Sequence, residues 1–168
     1  MRALLASAVL AVLAASGASA SRVMTPPCPG SSLSGSFRVV PGSAGAGNIV
    51  YALRLRNTSH ATCFVTGIPG VQLLAKDGTA LPTHASPSFP GALSAVMVSL
   101  APGRSAKATA RFSPDVPGPG EQTTGPCEPT AYKLRVSPVG GGRLIAPLVN
   151  PTPVCEHGAM KFTALSRG

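Results

Sequence analysis

Tryptophan is absent from this chain of 168 residues, which holds only two tyrosines and five phenylalanines. Readers of single-stranded nucleic acid stack bases on aromatic rings set among positive charges. That platform is missing, so no specific nucleic-acid partner is expected. Acids are scarce as well: Asp77, Asp115, Glu121, Glu128 and Glu156 are the full set. Hydrolysis by paired carboxylates needs two acids facing each other across a cleft, and Asp77-Gly78 reads simply as a hairpin turn. There is no Gly-x-Ser-x-Gly elbow, and His60, His84 and His157 stand without a partner motif. Nucleophilic catalysis therefore lacks its base and orienting group. No enzyme is expected, and a secreted hydrolase is the weakest of the alternatives. Long hydrophobic runs are missing too, so no transmembrane segment is expected. The one apolar stretch at the start, Ala3 to Ala15, is shorter than the ~20 residues that span a bilayer.

What is present begins with that stretch. Arg2 supplies a positive n-region, and Ala18-Ser19-Ala20 is a small-x-small cleavage site, the pattern of a secretory signal. The expectation is a signal peptide over 1–20 and a single secreted, extracellular domain over 21–168, of ordinary size for one core. Cys28, Cys63, Cys127 and Cys155 then reach a compartment where disulfides persist. Four cysteines allow three pairings. Cys28–Cys63 with Cys127–Cys155 is favoured, because each joins sequence neighbours and pins an irregular segment to a strand. No pair shows the Cys-x-x-Cys spacing of a zinc or redox site.

Helical periodicity is nearly absent after residue 20, and alternation of period two recurs. Ile49, Tyr51, Leu53 and Leu55 are apolar against outward Arg54 and Arg56. Ala106, Ala108, Ala110 and Phe112 alternate with Lys107, Thr109 and Arg111. Tyr132, Leu134 and Val136 alternate with Lys133 and Arg135. Leu33 to Val40, Val71 to Leu74, Val96 to Leu100 and Met160 to Ala164 add shorter runs. Leu144 to Val149, interrupted by Pro147, reads as an edge strand. Pro-Gly pairs at 41, 69, 90 and 102 punctuate these runs as turns. Pro82 to Gly91 and Ser113 to Pro129 read as irregular connections. About eight short strands predict an all-β fold, an antiparallel two-sheet sandwich of the immunoglobulin-like kind with two disulfides.

The order of these pieces resembles a known family. Leu55-Arg56-Asn57-Thr58 closes a strand, and Cys63 leads into Gly67-Ile68-Pro69-Gly70-Val71. Leu100-Ala101-Pro102-Gly103-Arg104-Ser105-Ala106 follows, and Cys127 and Cys155 come after it. This is similar to an exported actinobacterial four-cysteine family of unknown function, found as secreted proteins and lipoproteins. The resemblance covers about Cys28 to Leu165. No cysteine stands at the cleavage site to be acylated, so the resemblance implies a freely secreted form. It implies no activity and no cofactor.

Two sets of residues remain as candidate sites. The formal charge of +9 falls by one when Arg2 leaves with the leader. Such a balance favours an anionic partner: a cell-envelope polymer or an acidic lipid surface. Arg54, Arg56, Lys107, Arg111, Lys133 and Arg135 are the candidate contacts, forming one basic face if their strands share a sheet. The second set, Met24, Met97, Met160, His60, His84 and His157, offers thioether and imidazole donors that suit copper. No two of them have a ligand-like spacing such as His-x-Met. Asn57-Thr58-Ser59 matches the N-glycosylation pattern, which is short and frequent by chance. The functional expectation is a monomeric, non-enzymatic binding or structural module of the cell envelope. A copper-binding protein is the alternative.

Overall fold

Alternating burial decides where the strands run. In the computed structural model, which describes residues 24–91 and 96–168, eleven strands follow one another. They are β1 (Leu33–Val39), β2 (Ile49–Asn57), β3 (Cys63–Val65), β4 (Gly70–Leu74), β5 (His84–Pro87) and β6 (Val98–Leu100). After them come β7 (Ser105–Phe112), β8 (Ala131–Ser137), β9 (Leu144–Thr152), β10 (Ala159–Phe162) and β11 (Ser166–Arg167). Among the described residues, helix is confined to a 3-10 turn at Gly30–Ser32 and a four-residue turn, α1 (Cys155–Gly158). No helix among the described residues is long and apolar enough to cross a membrane. The expected signal peptide over 1–20 lies outside the described residues.

The expected inward positions hold along β2 and β7: Tyr51, Leu53, Leu55, Ala106, Ala108, Ala110 and Phe112 are buried, and the arginines and lysines between them are exposed. The two strands pair antiparallel from Ile49↔Phe112 to Arg56↔Ser105. Apolar residues of β1, β4, β8, β9 and β10 join one core, to which β3 and β6 contribute Cys63, Val65, Val98 and Leu100.

One sheet carries most of this core, in the order β4-β8-β9-β1-β2-β7-β10-β5, while β3 and β6 pair separately. A sheet that buries the same face along eight strands must curl onto itself. Phe37 of β1 and Phe162 of β10 show that it does. They lie three strands apart in the order, yet their rings stack at 6.3 Å. The two ends of the path also approach each other. After a turn at Asp77-Gly78 the chain runs back beside β4, where Leu81 N–H donates to the Leu73 carbonyl at 3.0 Å. The Leu73 N–H donates to the Thr83 hydroxyl at 2.9 Å, and the next residue opens β5 at the far end of the path.

The nearly all-β content and both disulfides, Cys28–Cys63 and Cys127–Cys155, agree with the expectation. The arrangement differs from an antiparallel two-sheet, immunoglobulin-like sandwich. The main sheet is mixed and nearly closes, with β1 parallel to β9 and β5 parallel to β10. Alternation reports which face is buried, and a sandwich and a curled barrel bury the same alternate positions.

Three local readings change as well. β9 is an interior strand, flanked by β8 and β1. Pro147 is tolerated because the β8–β9 register breaks beside it and the β1–β9 pairing is confined to Phe37↔Leu148. A missing N–H is accommodated where a ladder is interrupted. The same break turns Ala131 inward in place of Tyr132, which is half-buried. Finally, Pro82 to Gly91, expected to be irregular, contains β5. It pairs with β10 through His84 to Pro87, residues with no alternation to betray them.

Candidate functional site

The outer face of β1, β2 and β7 gathers the basic side chains. Cross-strand register sets Ser36 beside Arg54 and Ser34 beside Arg56, and Arg54 beside Lys107. Arg38 lies on the same face of β1, because residues two apart on a strand point the same way. Arg56 is held in place by its Nε, which donates to the Gly103 carbonyl at 3.1 Å. A shallow cleft of about 500 Å³ is lined by Ser34, Gly35, Ser36, Arg54, Arg56, Gly103 and Ser105. A second, lined by Ser36, Arg38, Ala52, Arg54, Lys107 and Gly168, continues it. Arg54 belongs to both. Guanidinium forks and serine hydroxyls side by side offer the donors that a phosphate or carboxylate accepts.

Among the described residues, no lysine or arginine forms an ion pair with a carboxylate. Of the six expected contacts, four share this region: Arg54, Arg56 and Lys107, with Arg111 further along β7. Arg111 has Lys161 of β10 directly opposite. Lys133 and Arg135 belong to the same curled sheet, but β9 and β1 separate their strand from β2. The Lys133 Nζ donates to the Lys76 carbonyl at 2.9 Å. Arg38 and the serines of β1 were missed from sequence. They sit in a run whose glycine and serines obscure the alternation.

The other charged cluster is a staple. Glu121 is nearly enclosed, with its side chain 2% exposed. It accepts from the Gly118 N–H at 2.6 Å, the Glu156 N–H at 2.9 Å and the His157 N–H. His157 sets its Nε2 3.1 Å from the Pro119 carbonyl. Its Nδ1 is 3.5 Å from both Glu121 and Glu128. Glu156 and His157 both adopt left-handed backbone, φ 56°, which aims their N–H groups at the one carboxylate. Gly158 follows at φ 78°, packed against the Pro82 carbonyl with no room for a side chain. Glu121, Glu128 and His157 bring three potential ligand atoms within 4.8 Å of one another. The Glu121 oxygens are already committed to backbone donors, so the cluster ties the 113–129 loop to α1 beside the Cys127–Cys155 bridge.

This staple has a signed pH dependence. Burial alone would raise the Glu121 pKa. The N–H groups of His157, Gly118 and Glu156, with the His157 charge, outweigh it and hold the carboxyl at about 2 against an ordinary 4.5. The Pro119 carbonyl, opposed by partial burial and helped by Glu121 and Glu128, raises His157 above its ordinary 6.5. A lowered carboxyl contributes stability above pH 4.5 that is lost as pH falls towards 2. A raised histidine contributes below pH 6.5, and that share is lost as pH rises through the folded value. Hydrogen exchange of the 113–129 amides should therefore be slowest between pH 4.5 and 6.5, after correction for intrinsic rates. His157→Gln should remove the loosening above pH 6.5, and an unchanged alkaline profile would refute the assignment.

The copper set does not converge. Met160 is buried in the core and His157 is tied to the staple, while His60, His84, Met24 and Met97 are exposed on separate segments. Asn57 of the glycosylation pattern is fully buried. Its Nδ2 donates to the carbonyls of Ala61 and Leu100, both at 2.8 Å, so neither amide hydrogen is free for modification.

A family profile described as "Domain of unknown function (DUF4232)" matches residues 28–165, from the first cysteine to the last core leucine. The chain belongs to the DUF4232 family. Comparison with curated proteins and with solved structures gives no match. The DUF4232 match spans both disulfides, the curled sheet and the basic strands alike.

Proposed function

We propose that this DUF4232 domain is a secreted, non-enzymatic binding module of the cell envelope that holds anionic partners on the outer face of β1, β2 and β7. The observation that carries this reading is the Arg54-centred cleft. Arg38, Arg54, Arg56 and Lys107 crowd adjoining strands while the acids sit elsewhere, in the β4 turn, the 113–129 loop and α1. A basic face without internal ion pairs keeps its potential for a partner. The two disulfides are compatible with an oxidising compartment.

The test uses the mature chain and isolated cell envelope, with soluble linear polyphosphate as a defined probe. Exposed charge contacts are screened beyond about 8 Å at physiological salt, so retention should fall steeply between low and high salt. Changing Arg54, Arg56 and Lys107 together to serine should weaken binding by about tenfold, at the fraction of a kcal/mol typical of each exposed charge. Retention that ignores both salt and substitution would mean that the charge serves only solubility.

A further inference from the structure

Between the two groups of basic residues runs an apolar ridge. Along β9 the outward side chains are Ile145, Pro147 and Val149, the first 47% and the last 54% exposed. At i, i+2 and i+4 on one strand they form a continuous column about 13 Å long. On one side stands β8, whose register puts Arg135 opposite Ile145 and Lys133 opposite Pro147. On the other side stands β1, with Arg38 next to the Phe37↔Leu148 pairing, and beyond it β2 and β7 with Arg54, Arg56 and Lys107. The chain has placed an exposed apolar strand in the middle of a basic face.

We infer that this face docks on an anionic lipid surface, with the β9 ridge entering the headgroup layer. The inference rests on the anion-binding reading above and names its partner. A hydrophilic polyanion offers charge to Arg54 and Lys133 but nothing apolar to cover Ile145 and Val149. A bilayer interface offers both, since apolar side chains enter the headgroup–acyl boundary while basic residues meet anionic lipids. Curvature fits as well. The sheet is convex outwards, so a plane touching it at β9 meets the ridge first and the flanking basic strands to either side.

The experiment is co-sedimentation of the mature protein with vesicles of phosphatidylcholine, with or without 30% phosphatidylglycerol, beside binding to soluble polyphosphate. Sedimentation with the anionic vesicles alone is expected. Ile145→Ser with Val149→Ser should cut vesicle binding at least tenfold and leave polyphosphate binding unchanged. Arg54→Glu with Lys107→Glu should weaken both, by roughly fivefold per charge on the vesicles. All variants are exposed, and thermal melts check that they fold. Vesicle binding by the serine pair equal to the parent's would overturn the inference. Polyphosphate binding without vesicle binding would overturn it while leaving the anion-binding reading intact. Binding to neither would overturn both.

Discussion

Replacing Cys28 and Cys63 together with serine is expected to lower stability by about 4 kcal/mol, from the loop entropy that the bridge removes from the unfolded chain. The bridge joins positions 35 residues apart. Both cysteines are buried, at 0% and 4% exposure, so serine hydroxyls there would also need partners that the apolar core lacks. The bridge fixes an annealed edge: Cys28 N–H donates to the Phe64 carbonyl at 2.8 Å, and Phe64 N–H to the Pro26 carbonyl at 2.9 Å. At roughly 3–4 °C per kcal/mol for a domain of this size, Tm should fall by about 12–16 °C. A calorimetric shift under 3 °C would show that strand pairing alone holds this corner.

Asn57→Ala should be nearly as damaging. The buried amide makes four hydrogen bonds: two donated to Ala61 and Leu100, and two accepted from the Ser59 N–H at 2.9 Å and its hydroxyl at 2.8 Å. Removing it strands the Leu100 carbonyl in the interior and frees the 57–61 turn. Each unsatisfied buried group costs about 1–3 kcal/mol, so a loss of about 3 kcal/mol is expected in urea unfolding. Asn57→Asp keeps the shape but turns an acceptor towards both carbonyls and buries a charge, and it should destabilise at least as much. A loss under 1 kcal/mol for the alanine variant would mean that water replaces the amide.

Strand positions were legible where side chains alternate between sharply different classes, as in Tyr51-Ala52-Leu53-Arg54-Leu55-Arg56. The disulfide pairing was legible for the same local reason, since each cysteine bonds the next in sequence. β5 was not, because a strand written His84-Ala85-Ser86-Pro87 owes its place to β10, a partner that arrives much later in the chain. The closing of the sheet was hidden likewise. It depends on contacts such as Leu73 with Leu81 and Thr83, which no periodicity encodes. At the site, charge named Arg54, Arg56, Lys107 and Arg111. The apolar ridge of β9 escaped notice because Ile145, Pro147 and Val149, taken alone, read as ordinary edge-strand residues.

The order of the strands in space also sets a timetable. Tyr51 reaches the Asn150 carbonyl across 99 residues, and the Thr109 N–H waits for the Thr163 hydroxyl 54 residues later. β5 has no lateral neighbour until β10 exists, and β1 has only one until β9 does. As the polypeptide emerges from its amino end, β1, β2 and β7 are able to pair early, but the surface they build stays open on both sides. The loop closures are long and come late, which slows the search. A chain without β9 and β10 would leave β8, β1, β7 and β5 each short of a neighbour, with the inner face of the sheet uncovered along those edges. β9 and β10 thus act as a latch: only with both in place does the sheet run unbroken from β4 to β5.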